Sequence, residues 1–268
     1  MRGLNVAAIA VLALALAACA SKKDAYVDRP VEELYNMAMD DLQSENYTQA
    51  AKEFDEVDRQ HPYSIWATKA QLMSAYTLYQ QGKYDESITA ADRFIQLHPG
   101  HRDVAYAYYL KALDYYIQIA DVGRDQRTTQ QALSALAEVQ RRFPDTQYAR
   151  DAHLKMDLAR DHLAGKEMEI GRWYERQGDY LAALNRFKRV VDEYQTTTHV
   201  PEALERLTEC YLALGLTDEA RRTAAVLGYN YPGNKWYSDT FTLVTGGQAP
   251  ETAGAQQGWF GRMVSSLF

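Results

Sequence analysis

This 268-residue chain has only two cysteines, no run of five basic residues and, after its first 18 positions, no long apolar stretch. Each shortage excludes something. With a formal net charge of −7 and no basic cluster, nothing supplies the counter-charge that a nucleic-acid backbone demands. A membrane helix needs about 20 consecutive apolar residues, and none follows the N-terminal segment. Catalytic signatures are also missing: no glycine-rich phosphate loop and no G-x-S-x-G element occurs. The six histidines do not compensate. His61 and His98 directly precede Pro62 and Pro99, and His101, His153, His162 and His199 lack metal-ligand spacing. His153 and His162 are nine positions apart, which puts them on different faces of one helix. The expectation is a non-enzyme without cofactor or metal.

The N-terminus carries the first positive signal. Arg2 is followed by the apolar run Val6–Leu16, long enough for an export signal and too short to span a bilayer. Leu16-Ala17-Ala18-Cys19 closes it in the pattern of a bacterial lipoprotein signal. In that reading residues 1–18 are removed and Cys19 becomes an acylated N-terminus, palmitate among its chains. The alternative is an ordinary cleaved signal in which Cys19 is incidental. Ala20, with no aspartate after the cysteine, points to the outer membrane by analogy with enterobacterial sorting. Cys210 then has no partner for an internal disulfide and sits at a periodic apolar position. It reads as a small buried hydrophobe, with a reactive thiol as the other possibility.

The rest of the chain is governed by a repeat. Small residues recur twelve positions before a helix-ending residue: Ala50 before Pro62, Ser87 before Pro99, Ala132 before Pro144, Ala183 before Gln195 and Ala220 before Pro232. Tyr47, Tyr84 and Tyr180 stand three positions before three of these small residues, and Phe54, Val57, Phe94, Val139, Phe187, Val190 and Leu227 follow them. Ala38 and Ala75 supply the small residue of partner helices upstream. Small residues let two antiparallel helices approach, large ones fill the gap, and proline stops the second helix. This is the grammar of the tetratricopeptide repeat. It predicts an all-α solenoid of five helix pairs in a right-handed superhelix.

Ten helices are expected, at about 31–44, 47–60, 68–81, 84–97, 102–120, 128–142, 148–177, 180–194, 200–214 and 217–230. Gly82, Gly178 and Gly215 mark turns, and Asp179 and Thr217 are expected N-caps. Asp121–Asp125 reads as an inserted loop, and 148–177 as a long helix bridging two halves. Gln195 in place of proline is expected to loosen its turn. Beyond Pro232 order is expected to fade, with Gly246–Gly258 a linker. The segment Trp259–Phe268 is amphipathic and suits a partner, a membrane surface or a disordered end.

Twenty tyrosines stand out against this background. In this repeat type the first helix of each pair lines the concave face, and Tyr35, Tyr76, Tyr79, Tyr106, Tyr109 and Tyr116 fall on or near it. Tyrosine offers a large apolar body with a polar tip, which suits an extended peptide. Inter-repeat packing is the competing use.

Strings more specific than the repeat run through residues 30–232: Tyr35-x-x-Ala38, His61-Pro62-Tyr63, Ala75-Tyr76, Asp92-Arg93-Phe94-Ile95-Gln96-Leu97-His98-Pro99 and Tyr109-x-x-Ala112-Leu113. They continue through Arg124-Asp125, Phe143-Pro144-Asp145-Thr146-Gln147-Tyr148, Asp151-Ala152, Leu163-Ala164-x-x-Glu167, Tyr174 and Asn185-Arg186. In these strings the chain resembles the BamD family of outer-membrane β-barrel assembly lipoproteins. The resemblance implies a non-enzymatic adaptor tethered by Cys19 and residues 19–30 to the periplasmic leaflet of the outer membrane. Residues 31–127 would receive unfolded outer-membrane protein clients. Residues 128–232, with Arg124, Asp125, Tyr174 and Arg186, would dock on the periplasmic domains of the barrel-forming assembly protein, alongside accessory lipoproteins. Residues 233–268 are read, from their own composition and not from the resemblance, as a flexible tail. The rival is an envelope lipoprotein adaptor for pilus assembly or the Tol system, which should lack Arg124-Asp125 and the Asp92–Pro99 string.

Overall fold

The structure is a computed structural model that describes residues 28–247. The signal, Cys19 with most of the 19–30 tether, and Trp259–Phe268 lie outside these residues. Eleven helices make up the described part: α1 Val31–Gln43, α2 Tyr47–Gln60, α3 Ile65–Gln80, α4 Tyr84–Leu97, α5 Val104–Ile117, α6 Arg127–Arg142, α7 Gln147–Arg176, α8 Tyr180–Glu193, α9 Val200–Ala213, α10 Thr217–Asn230 and α11 Lys235–Thr245. Each packs on its sequence neighbours, and α1, α3, α5 and α7 also touch in succession, as α9 touches α11. Odd-numbered helices therefore line one face and even-numbered helices the other, the arrangement of a tetratricopeptide solenoid.

The small residues that permit this approach are all buried. Ala38, Ala75 and Ala112 on the first helices face Ala50, Ser87 and Ala132 on the second, each with no exposed surface. Gly171 and Thr208 hold the corresponding places twelve residues before Ala183 and Ala220. Seven residues after the first-helix position comes a left-handed residue: Glu45 at φ 60°, Gly82 at 78°, Gly178 at 78° and Gly215 at 76°. Unit one thus places a glutamate where the other turns use glycine, at a cost of roughly 1–2 kcal/mol.

Second helices end alike. His61, His98, Phe143, Tyr194 and Tyr231 all have φ between −125° and −132° and ψ between 43° and 55°. Tyr194 conforms although Gln195 follows it, so the expected loosening of that turn is corrected: the preceding backbone, not the proline ring, sets its shape. His61 and His98 are turn residues, bonded to the Arg29 carbonyl oxygen at 2.9 Å and to Gln71 Oε1 at 2.8 Å. Asp179 caps α8, accepting from the Ala182 N–H at 3.2 Å. Thr217 is not a cap; it is the first residue of α10, with Leu216 before it.

Two departures from the repeat coincide. Ala112 and Ala132 are separated by eight more residues than in the other units, six of them in the loop 118–126 and two at the start of α6. Helix α7, 30 residues long, carries 14 more between Pro144 and Gly171 than stand between Pro99 and Ala112. The loop lies against the added turns, where His162 Nε2 meets the Ala120 carbonyl oxygen at 2.7 Å and Lys166 Nζ donates to that of Gly123 at 3.0 Å.

The apolar clusters divide along α7. Ala152 and Met156 belong with α5 and α6, whereas Ala164 and Met168 belong with the core of α8 to α11. The structural midpoint is therefore inside α7 and not at residue 127, because α6 packs on α5. The C-terminal end is corrected as well. Residues 235–245 form α11, capped by Asn234, which accepts from the Trp236 N–H at 3.1 Å, and stopped by Gly246 at φ 71°. Its Tyr237 and Phe241 close the core over α9 and α10, a terminal cap of the kind solenoids need. Among the described residues no helix is long and apolar enough to cross a membrane.

Candidate functional site

Helices α3, α5 and α7 present a continuous aromatic surface. Tyr76 and Tyr79 are three residues apart on α3, and Tyr106, Tyr109 and Tyr116 follow spacings of three and seven on α5, so each set forms one stripe. The rings meet across the helices. Tyr76 and Tyr106 have centroids 6.5 Å apart, Tyr106 and Tyr148 5.6 Å, and Tyr109 stacks on Tyr148 at 5.2 Å. Tyr79 leans on Tyr84 of α4 at 5.9 Å.

A polar relay fixes α5 to α7. The Tyr109 hydroxyl donates to Asp151, whose Oδ2 also takes Lys155 Nζ at 2.9 Å. The same ammonium lies 5.6 Å from the Tyr116 ring centroid, within cation–π range. Burial works against the Asp151 charge, but the bonds from Tyr109 and Lys155 outweigh it and its carboxyl titrates below the usual range. Burial pushes the Tyr106 and Tyr109 phenols well above theirs, Tyr109 further through its bond to Asp151. Both stay neutral donors in any physiological medium.

Behind this surface sits Asp114, fully buried on α5. Ser87 Oγ is 2.9 Å from the Ala75 carbonyl oxygen and 2.7 Å from Asp114 Oδ2. One hydroxyl proton cannot serve both acceptors. Burial raises the Asp114 carboxyl to about 7, and in its neutral form it supplies the missing proton to Ser87.

Five of the six tyrosines expected on the inner face are thus brought together. Tyr35 is elsewhere: its ring packs edge-on to Phe54 at 5.6 Å and against Trp66 at 4.8 Å, between the first two units. Tyr148 belongs to the surface although the tyrosine pattern of the first helices does not include it. A signal for it exists, because Trp66, Tyr148 and Trp236 each follow a repeat proline by four residues.

The four docking candidates are not one patch. Arg124 and Asp125 are exposed on the 118–126 loop, where Asp125 Oδ1 accepts from the Arg127 N–H at 3.1 Å and starts α6. Gln126 Nε2 ties the loop to the Asp121, Val122 and Arg124 carbonyl oxygens at 3.2, 3.2 and 3.0 Å. Arg186 is on α8, 3.1 Å from Glu167, which also holds Arg189 at 2.9 Å. Glu167 is two residues, about 200° of helix, from Gly165, which faces the loop. Tyr174 packs beside Trp173 at 5.0 Å on the edge of the C-terminal core. Cys210 is a buried small residue: its thiol is pushed up to about 12, first by burial and then by Glu175 and Glu209.

Residues 27–227 match the YfiO family, described as outer membrane lipoprotein. The outer membrane protein assembly factor BamD of Caulobacter vibrioides is 48% identical over 97% of this chain and 88% of its own. That of Rickettsia prowazekii is also 48% identical, over 89% of this chain and 96% of its own. That of Neisseria meningitidis serogroup A is 38% identical over 82% and 89%. With the family matched over residues 27–227 and relatives 48% identical over most of its length, the chain belongs to the YfiO family of outer membrane lipoproteins, the family of the assembly factors BamD.

Proposed function

We propose that this chain is a non-enzymatic adaptor in outer-membrane β-barrel protein assembly, held to the periplasmic leaflet by acyl chains on Cys19. It captures unfolded outer-membrane proteins on α3, α5 and α7 and presents them to the barrel-forming subunit. The observation that carries the reading is the tyrosine surface, half-buried, rigidly braced and shared by three helices of successive units. An extended segment laid across it would find aromatic faces for its side chains and neutral hydroxyls for its main chain. The relatives' name, outer membrane protein assembly factor, supports the same role. Hand-off requires moderate affinity, and confinement at the membrane raises the local concentration enough to make moderate affinity sufficient.

Binding of a fluorescent peptide ending in the last residues of an outer-membrane barrel protein tests this by anisotropy. Replacing Tyr106 or Tyr148 by alanine is expected to weaken binding about tenfold, the loss of about 1.4 kcal/mol. Tyr35→Ala should destabilise the first unit and leave the affinity of the folded fraction unchanged. Equal affinity in all three variants would end the groove assignment.

Docking on the periplasmic domains of the barrel subunit, beside accessory lipoproteins, belongs to the loop 118–126 and the exposed edges of α7 and α8. Arg124 is exposed, so Arg124→Glu is expected to leave the melting temperature unchanged and to reduce several-fold the barrel subunit recovered with the chain from solubilised envelopes. Undiminished recovery would remove Arg124 from the interface. Arg186→Glu also breaks the pair with Glu167, so its melting temperature must be compared before any loss of recovery is read as docking.

A further inference from the structure

The loop 118–126 has a shape of its own but no seat of its own. Gln126 gathers three of its carbonyl oxygens, Asp121 Oδ1 accepts from the Gly123 N–H at 2.8 Å, and the Arg124 N–H donates to the Asp121 carbonyl oxygen at 2.9 Å. None of its residues joins an apolar cluster of the core. Beneath it lies an open cleft of about 390 Å³, lined by Asp121, Val122 and Gly123 and, on α7, by Leu158, His162 and Glu169. Among the described residues, only two side chains outside the loop and its flanking helices α5 and α6 donate hydrogen bonds to it. They are His162, to the Ala120 carbonyl oxygen, and Lys166, to that of Gly123.

These two donors stand one turn apart on the stretch of α7 that is fixed to unit four. Asp161, next to His162, accepts from the Thr198 N–H and from its hydroxyl, each at 2.8 Å, and His199 Nε2 lies 3.7 Å from its other oxygen. Gly165, next to Lys166, leaves the space in which the loop and the α8–α9 turn meet. A Cβ there would lie 3.2 Å from His199 Nε2 and 3.7 Å from Val122 Cγ1. Two turns further on, Arg172 grips Glu202 of α9 through both oxygens, at 2.7 and 2.8 Å. The loop therefore belongs to unit three by sequence and to unit four by its bonds. Both bonds end on main-chain oxygens, so they fix the backbone of the loop, and Arg124 directly follows the residue that Lys166 holds.

We propose that His162 and Lys166 are positioning residues for docking, holding Arg124 and Asp125 in the place where the barrel-forming subunit meets them. The inference rests on the docking reading of Arg124. In the full mature chain, trypsin cleavage after Arg124 reports how often the loop opens. His162→Phe combined with Lys166→Met should quicken that cut about tenfold in the folded chain, the effect of losing two bonds to main-chain oxygens, one of them charge-assisted. The same chain should recover less of the barrel subunit from solubilised envelopes, about as little as Arg124→Glu does. Lys166→Arg keeps a charged donor, and Glu169→Gln removes only the carboxylate 3.6 Å from Lys166 Nζ, so both should cut and recover like the natural chain. Faster cutting with undiminished recovery, while Arg124→Glu lowers it, would overturn the positioning role and leave the docking reading standing. Undiminished recovery in Arg124→Glu as well would remove both. Unchanged cutting would overturn the proposal, because Gln126 would then suffice to hold the loop. Losses in Lys166→Arg or Glu169→Gln equal to those of the double variant would overturn it too, as a general effect of altering α7.

Discussion

Replacing Gly171 by alanine is expected to destabilise the C-terminal half by about 2 kcal/mol, although alanine is the better helix former by about 1 kcal/mol. The reason is the ring of Phe187. A Cβ on Gly171 would lie 2.5 Å from Phe187 Cε1, 2.8 Å from Cδ1 and 2.9 Å from Cζ. That ring is fully buried in the C-terminal core, so it cannot swing aside, and forced overpacking of this kind costs roughly 1–3 kcal/mol. Gly171→Leu should prevent α8 from docking on α7 altogether. Phe187→Leu in the same chain makes room, so the pair of changes Gly171→Ala and Phe187→Leu should cost less than the sum of the two alone. Urea unfolding followed by circular dichroism measures all three. A stabilised Gly171→Ala chain would mean that α7 and α8 are further apart than described.

The second expectation concerns Asp114. Its carboxyl is raised from 3.8 to about 7 in the folded chain, so the fold favours the neutral acid. Well below pH 3.8 the acid is neutral in both folded and unfolded chains and nothing is lost. Between pH 4 and 7 the unfolded chain releases its proton first, and stability falls as pH rises; above pH 7 the loss is complete. Asp114→Asn keeps a donor for Ser87 and cannot ionise. Its advantage over the natural chain should therefore be near zero at pH 4, grow to about 2–4 kcal/mol by pH 7.5 and then stay level. Thermal melts across that range are the check. A difference independent of pH would show that Asp114 is ionised in the folded chain.

Most of the solenoid is legible in the sequence because its rules are local. A small residue, a large one and a proline or glycine at fixed intervals locate ten of the eleven helices among the described residues, and Asp179 announces its own helix. What escapes depends on contacts far apart in the chain. Helix α11 lies beyond the last repeat proline, where the pattern stops, yet Asn234 and Gly246 bracket it as cap and stop. Gly246 reads as the start of a linker because a left-handed helix terminator and a linker glycine look alike in isolation. The burial of the carboxylates Asp114, Glu167 and Glu205 is another such case. Their spacing on single helices gives no warning, since burial comes from the neighbouring unit. Tyr35 and Tyr148 exchange roles for a similar reason: the repeat register places Tyr35 near the inner face but the packing of units one and two draws it inward, and Tyr148 joins the surface through its contacts with Tyr106 and Tyr109 of the neighbouring helix.

Helix α7 separates the tyrosine surface from the C-terminal units in a particular way. Its 30 residues extend about 45 Å. The 14 added residues correspond to about 1,400° of rotation, within about 40° of four whole turns. The helix is thus a spacer whose length can change while its phase is preserved. Gain or loss of about seven or eleven residues would move the tyrosine surface and the C-terminal units apart or together and leave both facing inward. Gain or loss of two would turn one of them by roughly 200° toward the outside. The length of α7 can therefore change in steps of whole turns, with the tyrosine surface and the C-terminal units each left intact.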